Sequence, residues 1–164
     1  VTSSKEIDID VTAIIRPGCY LIHDTGIYEQ AQQAVVNRSQ LACDIGGDLV
    51  SSLTLWAYVQ SIPESGLAII GMGKRDVAFD AGLPIPELHY NPQTKELLPA
   101  AKSWELTNIM DQHSMLSVPE SANLSVGDLL SFSTSHPCLT IDKWRYLGIA
   151  DENHVIHRVV ATYF

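Results

Sequence analysis

Hydrophobic and polar positions alternate with a period of two along several short stretches of this chain. The clearest runs from Leu53 to Ile62, where Leu55, Ala57 and Val59 alternate with polar and aromatic residues. Such alternation is typical of a strand with one buried face. Comparable stretches predict further strands at Val11–His23, Leu67–Met72, Trp104–Met110, Met115–Val118, Leu129–Ser135, Trp144–Ala150 and His154–Phe164.

Two segments depart from the strand pattern. Ile27–Val36 is rich in Ala and Gln and has apolar residues at helical offsets, which predicts a short helix. Residues 73–103 contain four prolines and little periodicity, so we expect a long ordered loop there. The predicted fold is mainly β, an antiparallel barrel or sandwich of short strands with one or two short helices.

Size and charge limit the function classes. The 164 residues suffice for one domain, and a net charge of −9 argues against nucleic acid or an anionic membrane surface as partner. The sequence contains no run of 18 or more apolar residues, so we expect no membrane span. Three widely spaced cysteines (Cys19, Cys43 and Cys138) form no disulfide framework, which favours a cytoplasmic location. We expect residues 1–10 to be a tail or interdomain connection and residues 11–164 to be the domain.

One candidate metal site stands out. His136 and Cys138 lie two positions apart, directly after the predicted strand Leu129–Ser135, and strand periodicity would place them on one face. Imidazole and thiolate are ligands that suit a transition metal, and two protein ligands would leave its coordination sphere open. The alternative is that the pair arises by chance and Cys138 is an ordinary small apolar residue.

Two other positions are candidates for catalysis. His113 follows the predicted strand Trp104–Met110 and suits a third ligand or a general base, or else a simple turn. His23 is followed by Asp24, which either orients the imidazole or begins an Asx-type turn into the predicted helix. The chain has no glycine-rich phosphate loop, no GxSxG motif and no CxxC pair.

Four stretches together resemble a known family. They are RPGCYLIHDTGIY (16–28), LTLWAYVQSIPESGLAIIGMGKRDVAFDAGLP (53–84), NIMDQH (108–113) and SHPCLTIDKWR (135–145). In this order they are similar to the C-terminal domain of the D-serine dehydratase-like family. That family also includes bacterial amino-acid deaminases and is related to the D-threonine aldolases. The resemblance covers about residues 11–164.

The resemblance implies a second half of an enzyme. Members belong to the alanine-racemase-like class, in which an N-terminal (β/α)8 barrel carries pyridoxal phosphate and its Schiff-base lysine. This chain has no strand–helix alternation, so we expect the barrel to be absent from it and the chain alone to be inactive. The resemblance also implies docking onto that barrel, a homodimer at full length, and a small D-amino acid as substrate.

The resemblance further assigns roles to the candidate residues. His136 and Cys138 match zinc ligands beside the cofactor, where the metal assists the departure of hydroxide in a β-elimination. His113 and Asp80 are expected at the mouth of the site, and His23–Asp24 near the active site of the partner subunit. A thiolate ligand favours zinc and hence a dehydratase or deaminase. A D-threonine aldolase-like or racemase-like enzyme is the alternative, and a stand-alone β-barrel binding module is the alternative of another class.

Overall fold

The computed structural model describes residues 12, 14, 18–45 and 49–163. Within them, seven strands form one antiparallel sheet in the order β4-β3-β7-β1-β2-β6-β5, and two more form a separate hairpin, β8-β9. Their bounds are β1 Thr54–Glu64, β2 Leu67–Ile70, β3 Ile85–Asn91, β4 Glu96–Pro99, β5 Glu105–Ile109, β6 Ser114–Ser117, β7 Leu129–Ser133, β8 Tyr146–Ala150 and β9 Ile156–Ala161. The mainly β, antiparallel prediction is confirmed.

The helices in the described residues are short, and most of them precede the first strand. A 3-10 helix, Gly18–Leu21, precedes α1 (Ile27–Val36) and α2 (Gln40–Ile45), and α3 (Pro137–Ile141) follows β7. The predicted helix at Ile27–Val36 is confirmed with the same bounds, whereas α2 and α3 bring the helices above the expected one or two. None of the helices in the described ranges is long and apolar enough to cross a membrane.

Buried and exposed side chains alternate along the central part of β1, and the buried ones belong to the hydrophobic core. Ala57 and Val59 are buried while Tyr58 points to solvent, as the period of two requires. In the register with β7, Ala57 faces Leu130, another buried residue. The central cluster contains Ala57, Val59, Ala68, Ile70, Met72, Val77, Trp104, Leu106, Ile109, Leu116, Leu130 and Phe132. The sheet curls around this cluster until β3 lies near β5, which gives an open sheet a barrel-like shape.

The long loop predicted for residues 73–103 is wrong in its second half. β3 and β4 form a hairpin there, and β3 pairs with β7 about forty residues further along the chain. The pairing is irregular between Pro86 and Leu88, since a proline lacks the N–H that a regular ladder uses. Every residue of β4 is exposed at the sheet edge, so no alternation marks this strand. Long-range pairing therefore creates these strands against a weak local pattern.

The first predicted strand, Val11–His23, is also not found where the structure describes it. Residues Gly18–Leu21 form the 3-10 helix instead, consistent with the preceding Pro17 and with Gly18. Most of residues 11–17, and the predicted tail 1–10, lie outside the described residues.

Candidate functional site

The turn after β7 carries the predicted metal ligands, but the strand does not extend to them. β7 ends at Ser133, His136 is the N-cap of α3, and Pro137 is the first helical residue. Proline suits that position because its fixed φ matches a helix, and it holds the residue before it in an extended conformation. His136 has φ −146° and ψ 88°. The strand periodicity expected to place His136 and Cys138 on one face therefore does not apply.

Both candidate ligands are accessible at this turn. His136 is partly exposed, and Cys138, one residue into the first turn of α3, is an exposed free thiol. Among the described residues, no group of three or more His, Cys, Asp or Glu side chains is arranged to hold a metal ion. An imidazole and a thiol are donors that fit zinc, and a pair of them fits an open site and not a closed structural one.

The imidazole of His136 has a carboxylate partner 56 residues away in the chain. Nδ1 of His136 lies 2.8 Å from Oδ2 of Asp80, and both side chains are partly exposed. The hydrogen bond from His136 holds the pKa of Asp80 below its ordinary value. An ionised carboxylate only accepts hydrogen bonds, so Nδ1 donates. The family resemblance predicts Asp80 at the mouth of the site but gives no link to His136.

Two buried hydroxyls hold the turn together. The hydroxyl of Thr134 lies 2.8 Å from that of Thr140. The backbone N–H of His136 donates to Thr134 Oγ1 at 3.2 Å, and Thr140 Oγ1 donates to the carbonyl of His136 at 3.0 Å. One orientation satisfies every contact: Thr134 donates to Thr140, which donates to His136. We call Thr134 and Thr140 the hydroxyl bridge.

Asp80 lies in the connection between β2 and β3, residues 71–84, which we call the Asp80 loop. This loop is attached to the β7–α3 turn on both sides of Asp80. The N–H of Ala78 donates to Thr140 Oγ1 at 3.1 Å, and Ser135 Oγ donates to the carbonyl of Gly82 at 2.7 Å. These anchors come two residues before and two residues after Asp80. Sequence reasoning missed the two threonines and Ser135, because nothing in the local pattern distinguishes a bridging hydroxyl from an ordinary one.

The His23–Asp24 segment lies beside this turn. The N–H of Thr25 donates to the carbonyl of Thr134 at 3.3 Å, and a Cβ added at Gly26 would lie 3.3 Å from Cβ of Ser135. The tertiary structure thus brings the residues around His23 and the β7–α3 turn together. Their predicted catalytic roles remain predictions.

Within this segment, Asp24 is engaged with the helix. Its Oδ1 accepts hydrogen bonds from the N–H of Gly26 at 2.8 Å and of Tyr28 at 3.0 Å, which is the Asx-type alternative. The buried imidazole of His23 lies 3.1 Å from Oε2 of Glu29 and is held by that residue instead. Hydrogen bonds from Gln33 and from His23 lower the pKa of Glu29.

His113 lies in the turn between β5 and β6, at the other end of the Asp80 loop. Its carbonyl accepts from the N–H of Met110 at 2.8 Å. The loop begins against this turn, where the N–H of Lys74 donates to the carbonyl of Met110 at 2.8 Å. In the described part of the chain no hydrogen bond joins His113 to His136 or Asp80. In the described residues the fold connects the two positions through one loop and not through a hydrogen bond.

A cleft lined in part by the hydroxyl bridge lies beside the β7–α3 turn. Its volume is about 300 Å³, and it opens between the start of β1, α3 and the β8–β9 hairpin. The lining is mainly apolar and consists of Leu53, Thr54, Leu55, Trp56, Thr134, Thr140, Trp144, Tyr146, Leu147, Gly148 and Ile156.

Comparison with known families decides the affiliation. Residues 52–150, more than half of the chain, match the family described as "Putative serine dehydratase domain". The chain belongs to this family. The match spans β1 to β8 and includes Asp80, His113, His136 and Cys138. No curated protein sequence matches the chain.

Solved structures share the fold of this serine dehydratase domain. D-threonine aldolase from Filomicrobium marinum superimposes with a TM-score of 0.57 at 17% identity, over 69% of this chain and 28% of that enzyme. A histidine-to-alanine variant of D-threo-3-hydroxyaspartate dehydratase gives 0.51 at 14% identity, over 70% and 32%. Its cysteine-to-alanine variant, in the metal-free form, gives 0.52 at 15% identity, over 79% and 38%. The chain therefore corresponds to about a third of the length of these enzymes, and the predicted resemblance is confirmed.

Proposed function

We propose that this chain is the β domain of a pyridoxal-phosphate-dependent dehydratase that removes water from a β-hydroxy D-amino acid to give a keto acid and ammonia. The observation that carries the proposal is the turn with His136 and Cys138. In D-threo-3-hydroxyaspartate dehydratase the substituted histidine and cysteine also lie two positions apart, and the cysteine variant is in a metal-free form. Membership of the serine dehydratase domain family supports the same reaction.

His136 and Cys138 would hold a zinc ion in this site. A thiolate prefers zinc to magnesium or manganese, and two protein ligands leave positions for the substrate hydroxyl. When bound, zinc supplies Lewis acidity for the departure of hydroxide, and pyridoxal phosphate supplies an electron sink for the α-carbon. The lysine and phosphate site would come from a barrel domain of the same protein, and we propose a cytoplasmic homodimer for the whole enzyme.

The chain's own residues contribute position and proton handling. The hydroxyl bridge, Thr134 and Thr140, holds the backbone of His136 on both its N–H and its carbonyl side. This keeps the two donor side chains on one short turn, which a mobile loop would not do. His113, half exposed at the other end of the Asp80 loop, is proposed to exchange a proton at the mouth of the site.

A D-threonine aldolase-like reaction is the second candidate. The fold is similar to D-threonine aldolase from Filomicrobium marinum, with a TM-score of 0.57. The two reactions share a β-hydroxy amino acid substrate and differ in the bond that breaks. Cys138 favours dehydration, because its soft thiolate selects zinc, whereas a harder carboxylate ligand suits the metals expected of an aldolase.

Products separate the two reactions. The full-length protein, loaded with pyridoxal phosphate, is incubated with D-serine, D-threo-3-hydroxyaspartate and D-threonine. Dehydration yields keto acid and ammonia, whereas aldol cleavage of D-threonine yields glycine and acetaldehyde. We expect keto acid and ammonia, loss of the reaction with a chelator and its return with Zn²⁺. Elimination that continues at full rate after complete removal of metal would contradict the proposal.

Substitution locates the metal. The double variant His136→Ala, Cys138→Ser should lose bound zinc and elimination activity, while Asp142→Ala, an exposed change at the end of α3, should keep both. Zinc content measured by atomic absorption checks the site independently of activity. Undiminished zinc in the double variant would exclude the two residues as ligands.

A further inference from the structure

We infer that Asp80 is a positioning residue that holds the neutral imidazole of His136 in the tautomer with hydrogen on Nδ1. Nε2 then carries the free lone pair, on the side of the ring away from Asp80. The purpose of this arrangement, a ligand nitrogen ready for a metal ion, rests on the proposed function. The tautomer itself rests only on the contact between the two side chains.

Hydrogen-bond chemistry sets the direction of this contact. The 2.8 Å separation of Nδ1 and Oδ2 is that of a charge-assisted N–H to carboxylate bond. A neutral imidazole has one hydrogen, and the nitrogen that carries it is set by the partner of that nitrogen. A carboxylate facing Nδ1 therefore places the hydrogen there and leaves Nε2 unprotonated.

Backbone anchors hold the two side chains opposite each other. The side chains of His136 and Asp80 are 36% and 47% exposed. An exposed ion pair contributes little free energy, so it needs other contacts to keep its two side chains in place. The Asp80 loop is instead fixed through Ala78 to Thr140 and through Gly82 to Ser135. Both anchor points flank His136 in the chain, so the loop is attached to the turn on both sides of this residue.

The arrangement has a recognised chemical consequence. A histidine that binds a metal commonly donates its other N–H to a carboxylate, which fixes the ring and makes the ligand nitrogen more basic. Loss of such a partner typically costs about 10- to 100-fold in metal affinity. Among the described residues Asp80 makes this contact with His136, so it is the residue whose removal should have this effect.

The tautomer is read directly by ¹⁵N NMR of the histidine rings in this 164-residue chain, at a pH where imidazole is neutral. In the wild type, His136 should show a hydrogen-bearing Nδ1 and an unprotonated Nε2. Asp80→Ala should shift His136 towards hydrogen on Nε2, and Asp80→Asn, whose amide can donate or accept, should give a mixture. Asp142→Ala, which removes a carboxylate from the end of α3, should leave the tautomer unchanged.

A His136 ring that keeps hydrogen on Nδ1 in Asp80→Ala, or never carries it there in the wild type, overturns the inference. Folding of each variant is checked in the same samples by the backbone amide signals of β1 and β7. Since Asp80 is exposed and outside the core, the alanine variant should retain these signals.

Titration with Zn²⁺ separates this inference from the proposed function. The Nε2 signal of wild-type His136 should respond to Zn²⁺, and Asp80→Ala should need about 10- to 100-fold more metal for the same response. A wild-type ring that has the Nδ1 tautomer but ignores Zn²⁺ contradicts the proposed metal site and supports tautomer control by Asp80. Equal Zn²⁺ responses in the wild type and Asp80→Ala contradict the role of Asp80 in metal binding.

Discussion

Two histidine–aspartate pairs with nearly the same bond length occupy opposite environments. His136 and Asp80 lie 2.8 Å apart at the surface, with side chains 36% and 47% exposed. His89 and Asp128 lie 2.7 Å apart in the interior, with side chains 11% and 3% exposed. Water competes for the first pair and is excluded from the second. The same chemical contact therefore orients an accessible ring in one place and supports the fold in the other.

The surroundings reinforce this difference. Oδ2 of Asp128 also accepts the N–H of Ser125 at 3.0 Å, and the ring of His89 packs 5.4 Å from that of Trp104. The buried pair thus joins β3 to the turn that precedes β7. The exposed pair joins the Asp80 loop to the N-cap of α3, next to Cys138. The buried contact belongs to the core of the sheet, and the exposed contact belongs to the candidate site.

The largest expected effect comes from breaking the buried pair. Asp128→Ala should lower the free energy of unfolding by about 3 kcal/mol, because the ring of His89 loses its hydrogen-bond partner in the interior and the N–H of Ser125 loses the acceptor of a part-buried hydrogen bond. Asp80→Ala should lower it by less than about 1 kcal/mol, as for other exposed pairs. Denaturant unfolding measures both values. If both variants lost a similar amount of unfolding free energy, burial would not distinguish the contributions of the two pairs to stability.

A smaller effect is expected at the hydroxyl bridge. Thr140→Val keeps the side-chain shape but removes the hydroxyl that links Thr134, Ala78 and the carbonyl of His136. We expect a loss of about 1–3 kcal/mol in the free energy of unfolding, together with a weaker preference of His136 for hydrogen on Nδ1.

Thr140→Ser, which retains the hydroxyl, is the matched control for this change and should keep the tautomer preference of His136. A valine variant whose His136 ring is indistinguishable from that of the wild type would show that the bridge does not position the Asp80 loop. Chemical denaturation and ring ¹⁵N shifts provide the two measurements.

The smallest expected effect on stability is a pH dependence caused by Glu87 on β3. Burial raises its pKa, and a hydrogen bond with Ser133 acts in the opposite direction. Between the ordinary pKa of 4.5 and the raised value, the folded state binds more protons than the unfolded state, so stability falls as pH rises through this window. Glu87→Gln should therefore be more stable than the wild type at pH 7, and the gap should close on acidification below 4.5. A gap that widens in acid would contradict burial as the cause.

Patterns within short sequence segments correctly predicted the strands and helices whose signal lies within the element itself. The alternation of Leu55, Ala57 and Val59 predicted β1, and the composition of residues 27–36 predicted α1 with its observed bounds. The spacing of His136 and Cys138 indicated a candidate site, but the strand drawn through them was wrong. Pro137 suits a helix start as well as a strand end, and the hydrogen bonds of Thr134 and Thr140 that accompany the helix start are not visible in the local pattern.

Long-range contacts were beyond such patterns. β3 exists because it pairs with β7, and Asp80 meets His136 because Thr140 and Ser135 hold its loop. The two partners of each contact lie too far apart in the sequence for a short segment to contain both.

Side-chain chemistry and short-range periodicity were enough to establish a mainly β domain with a histidine and a cysteine two positions apart. Which aspartate meets which histidine, and whether water reaches the pair, came only from the packed sheet. The physical reason is that hydrogen bonding and burial depend on distance in space, and the fold brings together residues such as Asp80 and His136 that lie 56 positions apart.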